Sequence, residues 1–106
     1  MKLPKTEILE SIRRIVSTTL PLGGKAILFG SQARGDAHRD SDWDILILLD
    51  KEKASADDFN QVVYPLFELG WQINEMINPI LYTYNEWKKR SFTLFYKNIE
   101  QEGIAL

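Results

Sequence analysis

The sequence predicts an α+β fold of α/β-like character, a small mixed β-sheet packed by helices. Two short runs, residues 26–29 and WDILILLD from Trp43, are apolar without alternation, as strands covered on both faces are. Around them lie segments whose apolar residues recur at helical spacing. The resulting order is α, β, α, β, α, β, α, with no internal repeat, low-complexity stretch or linker.

The first helix runs from Thr6, with Ile8, Leu9, Ile12, Ile15 and Val16 on one face and Glu7, Glu10, Arg13 and Arg14 opposite. A break at residues 21–24 precedes the first strand, which Gly30 ends, and Ser31 stands where a helix would begin. Residues 35–41 are polar and loop-like, and the second strand starts at Trp43. Residues 55–70 read as a helix capped by Ser55, with Asp58 at capping-box spacing. Its expected buried stripe is Phe59, Val62, Val63, Leu66 and Phe67, and Pro65 kinks it. A third strand is expected from Trp71 to about Tyr84, where Pro79 implies an edge position or a bulge. Asn85 then caps a short turn, and residues 91–102 form a last helix with Phe92, Phe95, Tyr96 and Ile99 on one face, stopping at Gly103.

Length and composition limit the function classes. The 106 residues, 44% of them apolar, suit one domain over residues 1–106. A net charge of −2 lacks the basic footprint of a chain that grips nucleic-acid phosphates, so direct nucleic-acid binding is not expected. With no cysteine, disulfides, zinc–thiolate sites and thiol nucleophiles are excluded, which fits a reducing cytoplasm. The charged N-terminus reads as neither secretory signal nor membrane anchor, and no apolar run approaches the roughly 20 residues that span a bilayer. His38, in a polar loop, is expected to be exposed, and the run Lys88, Lys89, Arg90 to be a solvated face.

The chemistry concentrates in residues 27–50, ILFGSQARGDAHRDSDWDILILLD. Gly30 after a buried strand permits close backbone approach, and the Ser31 hydroxyl with neighbouring amides could hold a phosphate; a glycine and a serine there are also ordinary turn and cap residues. Asp42 and Asp44, two apart on a strand, leave the same face, which Leu46 and Leu48 continue inward. Carboxylates so placed repel unless water or a cation compensates. Hard cations such as magnesium take carboxylate oxygens together with substrate phosphates, and two of them can clamp an in-line phosphoryl displacement. Alone, the same DxD is also a solvated turn opening a strand. Gly-Ser after one buried strand and DxD opening the next would face each other across adjacent strand ends.

In this combination the chain resembles the DNA polymerase beta-like nucleotidyltransferase superfamily. GSQARGDAHRDSDWDILILL is similar to the GSxARG(x)nSDxDL segment of the minimal nucleotidyltransferases often paired with HEPN-type proteins. The resemblance implies a nucleotidyltransferase fold. It implies that Gly30 and Ser31 hold a nucleoside triphosphate, that Asp42 and Asp44 are catalytic magnesium ligands, and that Arg34 sits beside the phosphates or stabilises the loop. Arg34 also reads as a surface salt-bridge residue. Gln32 departs from the arginine frequent after the family's serine. The family's third metal carboxylate comes from a later strand, and Glu75, sharing an expected strand face with Ile73 and Ile77, is the candidate; a bulge at Pro79 would leave it exposed instead.

The activity that the resemblance implies is magnesium-dependent transfer of a nucleoside monophosphate, AMP from ATP, to a hydroxyl of a partner protein, with a HEPN-type toxin as that partner. The rival reading is a catalytically inactive subunit of the same fold, acting by protein binding or nucleotide sensing. The C-terminal helix offers apolar surface for a homodimer, without compelling one.

Overall fold

The computed structural model describes residues 2–106. In chain order the elements are α1 (Lys5–Thr19), β1 (Lys25–Phe29), α2 (Ser31–Arg34), β2 (Trp43–Leu49), α3 (Ala56–Val62), α4 (Tyr64–Ile73), β3 (Ile77–Thr83), α5 (Tyr84–Lys88), α6 (Leu94–Glu102) and β4 (Ile104–Ala105). The strands form one mixed sheet in the order β3-β2-β1-β4. β1 runs antiparallel to β2 and β4, whereas β2 and β3 are parallel. A parallel pair needs a crossover, which α3 and α4 supply.

The alternation of β2 distributes its side chains between two apolar layers. Trp43, Ile45, Ile47 and Leu49 pack with Ile8, Ile12 and Val16 of α1, Val62 of α3 and Leu66 and Leu69 of α4. Leu46 and Leu48 face the other way, against Ile27, Trp87 of α5 and Ile99 of α6. A strand covered on both sides must be apolar throughout, which is why WDILILL lacks alternation. The expected fold class, a small mixed sheet packed by helices, is the one observed.

Several boundaries differ from expectation. The segment after Ser55 is two helices, and Pro65 lies in the first turn of the second, where its missing N–H is no loss. Phe59, expected in the buried stripe, is 44% exposed. The chain stays helical past Trp71 to Ile73, and Asn74 ends α4 in the left-handed region at φ 57°. β3 therefore starts only at Ile77, at the sheet edge where Pro79 is tolerated. Thr83 rather than Asn85 caps α5, with Glu86 completing a capping box.

α6 begins after Thr93, leaving Phe92 exposed. Gly103 follows it with extended backbone at φ −64°, not in a left-handed cap. A Cβ there would come within 2.5 Å of Ile27 Cγ2, so glycine lets the chain lie against β1 and pair as β4. Among the described residues no helix is long and apolar enough to cross a membrane.

Candidate active site

Antiparallel pairing sets Phe29, the last residue of β1, opposite Asp44 in β2. The turn leaving β1 thus meets the end at which the chain enters β2. Gly30 adopts φ 76°, ψ −159°, and a Cβ on it would collide with the Asp44 carboxylate. Glycine is required there both for the backbone conformation and for the space. Ser31 is the first residue of α2, no side chain caps that helix, and Gly35 at φ 85° ends it. Gln32 Nε2 donates to the Ser41 carbonyl at 3.3 Å, and the His38 amide donates to the Ser41 hydroxyl at 2.9 Å. These bonds hold the exposed loop so that Asp42 enters the sheet beside α2.

Asp42 is exposed and Asp44 half-buried, on the same face of the chain as Leu46 and Leu48. On the other side of Asp44, the parallel register places Asn78 of β3. Asn78 Nδ2 donates to Asp42 Oδ2 at 2.9 Å and to Asp44 Oδ1 at 3.3 Å, bridging the two carboxylates. Burial pushes the Asp44 carboxyl above its ordinary value; the Asn78 bond and the charge of Arg34 pull it down, and the charge of Asp42 adds to the rise. Two carboxylates converging on one amide, one of them short of solvation, form a donor set that suits a hard divalent cation.

Arg34 is exposed, its Nε 3.2 Å from Asp36 Oδ2 and its Nη1 3.4 Å from Glu102 Oε2 of α6. It is a surface salt-bridge residue here, close enough to the site for its charge to act on Asp44. Glu75 is not brought to the pair. It precedes β3, its side chain is 3% exposed, and its carboxylate accepts from Trp43 Nε1 at 3.2 Å and lies 3.1 Å from Lys2 Nζ. Trp43 belongs to the layer on the opposite face of β2 from Asp42 and Asp44. The expectation for Glu75 assumed a strand already running at Ile73, whereas that residue is still in α4. Among the described residues no three His, Cys, Asp or Glu side chains gather as a metal site. A concavity of about 450 Å³ opens beside Glu75, Trp71 and Met76, and none of Gly30, Ser31, Asp42 or Asp44 lines it.

A profile of the nucleotidyltransferase domain matches residues 9–106. The chain belongs to the nucleotidyltransferase domain family. It is 32% identical over 101 residues to a provisionally named protein adenylyltransferase of Methanocaldococcus jannaschii, covering 94% of this chain and 96% of that one. A second provisionally named protein adenylyltransferase of the same organism is 37% identical over 82 residues, 77% of this chain and 76% of its own. Among solved structures, a toxin–antitoxin complex with AMP-PNP superposes with a TM-score of 0.61 at 18% identity, over 91% of this chain and 69% of that one. A provisionally named nucleotidyltransferase from Sulfolobus solfataricus gives 0.57 at 22% identity, over 93% and 76%. The structural likenesses establish a shared fold.

In this nucleotidyltransferase domain, reading the sequence missed Asn78 and Gln32 as positioning groups. Asn78 left a faint signal: it is a polar residue near the opening of an otherwise largely apolar strand, as Asp44 is in β2. Nothing in the local pattern marks Gln32, whose bond spans nine residues to a loop carbonyl.

Proposed function

We propose that this nucleotidyltransferase domain transfers AMP from ATP to a hydroxyl of a partner protein, as the antitoxin of a HEPN-type toxin. The observation that carries the reading is the meeting of the turn leaving β1 with the start of β2, where Gly30, just before Ser31, lies directly against the carboxylate of Asp44, which Asn78 links to Asp42. Two relatives provisionally named protein adenylyltransferases support the acceptor class, and the toxin–antitoxin structure of the same fold supports the partner.

The triphosphate would lie along residues 30–34, its phosphates facing the Gly30 backbone and the Ser31 hydroxyl, with Arg34 released from Glu102 to meet them. Asp42 and Asp44 would hold magnesium, which when bound offsets the phosphate charge and the charge developing on pyrophosphate. The acceptor oxygen attacks the α-phosphorus, the bond from that phosphorus to the bridging oxygen breaks, and pyrophosphate leaves. The proton of the acceptor hydroxyl passes to solvent as the new bond forms.

Calorimetric titration of ATP, with and without magnesium, tests the site. Magnesium-dependent binding should vanish in Asp42→Asn/Asp44→Asn, and binding equal to wild type in that variant would sink the reading. Mass spectrometry of the co-purified partner, for an added AMP, tests the acceptor. One observation favours a second reading, a subunit that binds its partner without transferring: Asn78 beside the pair supplies no third negative charge. A stable partner complex that forms equally in wild type and in the double variant, with no AMP transferred by either, would select it.

A further inference from the structure

The side chain of Asn78 faces both site carboxylates from the neighbouring strand, and it has two chemically different ends. The carboxamide nitrogen donates and the oxygen accepts, and a rotation about the last torsion exchanges them. Toward two uncompensated carboxylates the nitrogen end is favoured, and the bonds to Asp42 Oδ2 and Asp44 Oδ1 are of that kind. Toward a cation held by the same carboxylates only the oxygen end can serve, because an amide NH2 has no lone pair to offer. Its position beside Asp44 is secured by β-sheet register, so that contact does not depend on a loop.

Resting on the proposed nucleotide site, we propose that Asn78 is a reversible third member of the cation site: its amide nitrogen holds Asp42 and Asp44 together before loading, and its carbonyl oxygen turns to the cation afterwards. The site then offers two negative charges and one neutral oxygen. A divalent cation gains less from such a site than from three carboxylates, and a triphosphate brings the missing negative charge. The cation therefore enters with the nucleotide and is held weakly without it. Asn78 acts as an electrostatic governor, keeping the metal site empty until substrate arrives and sparing the folded chain the repulsion of a third carboxylate.

The test titrates manganese chloride calorimetrically into wild type, Asn78→Asp, Asn78→Leu and Asp42→Asn/Asp44→Asn, with and without the non-hydrolysable analogue AMP-PNP. Thermal melts in EDTA and in manganese accompany each titration and report that each variant folds. Without nucleotide, Asn78→Asp should bind manganese at least about tenfold more tightly than wild type, reflecting one added charge. The gap should narrow with AMP-PNP present, and Asn78→Leu should bind more weakly than wild type in both conditions. In EDTA, Asn78→Asp should melt below wild type and recover when manganese is added. Equal manganese affinity in wild type and Asn78→Asp, while the double aspartate variant loses manganese, would overturn the role of Asn78 and leave the proposed function standing. Wild-type binding of manganese and AMP-PNP by the double aspartate variant would overturn both.

Discussion

Gly30 and Gly35 bracket α2 with positive φ values of 76° and 85°, yet only Gly30 has a neighbour that forbids a side chain. Alanine at Gly35 meets nothing within 4 Å, so its cost is the left-handed backbone alone, about 1–2 kcal/mol. Alanine at Gly30 adds a collision with the Asp44 carboxylate, and urea unfolding should show the larger loss for Gly30→Ala. Nucleotide binding should fail in Gly30→Ala and survive in Gly35→Ala; equal effects would mean that close approach at Gly30 is not what the site uses. Asp44→Asn should raise the melting temperature at neutral pH in EDTA, because it removes a carboxylate that burial destabilises. The glycine, serine and aspartates were legible in the sequence because turn geometry and two-residue strand alternation are local. Asn78 was not, since its meeting with Asp42 spans 36 positions along the chain.

The elements were most legible where a local signal defines an end. Ser55 accepts from the Asp58 amide, and the Asp58 carboxylate answers the Ser55 amide, as the spacing of those residues suggested. Ser55→Ala should lower stability by about 1 kcal/mol in chemical denaturation, with nucleotide affinity unchanged. Thr83 makes the same box with Glu86, but its position inside a misplaced strand boundary hid it. The least legible stretch was residues 71–76. Its apolar residues fit a strand or a helix end equally, and the choice was made by Asn74 turning the chain back, so that the Glu75 amide bonds the Gly70 carbonyl at 2.9 Å. This turn puts Glu75 under Trp43 instead of beside the aspartates. Glu75→Gln, which keeps an acceptor for the indole, should leave magnesium–ATP affinity within about twofold of wild type, a change worth less than one kT-scale contact. A loss of tenfold or more would return Glu75 to the site.

Across the whole molecule, apolar layers cover both faces of the sheet, and the carboxylates around them have opposite pH consequences. Asp58 sits below its ordinary value through hydrogen bonds from Lys51 and Ser55, and Glu86 through those from Thr83. Their stabilisation is present above the unfolded values near about 4 and is lost as pH falls through the lowered folded ones. Asp44 has the opposite sign: its raised carboxyl takes a proton more readily when folded, so acidification stabilises the fold at that position. As pH falls from neutral to about 4, the melting temperature of wild type should therefore rise relative to Asp44→Asn, which lacks that protonation, and below about pH 4 both should drop as Asp58 and Glu86 are protonated. A wild-type melting temperature that falls relative to that variant between neutral pH and about 4 would contradict the sign assigned to Asp44. Residue spacing along the chain was enough to determine the α+β class, the strand ends at Gly30 and Trp43, and the meeting of the Gly30 turn with the start of β2 at Asp44, because hydrophobic period and turn chemistry act within a few residues. Which side chain stands third beside Asp42 and Asp44 was decided by the register of β2 against β3 and by where α4 stops. Both follow from packing between segments some thirty residues apart, where no local period reaches.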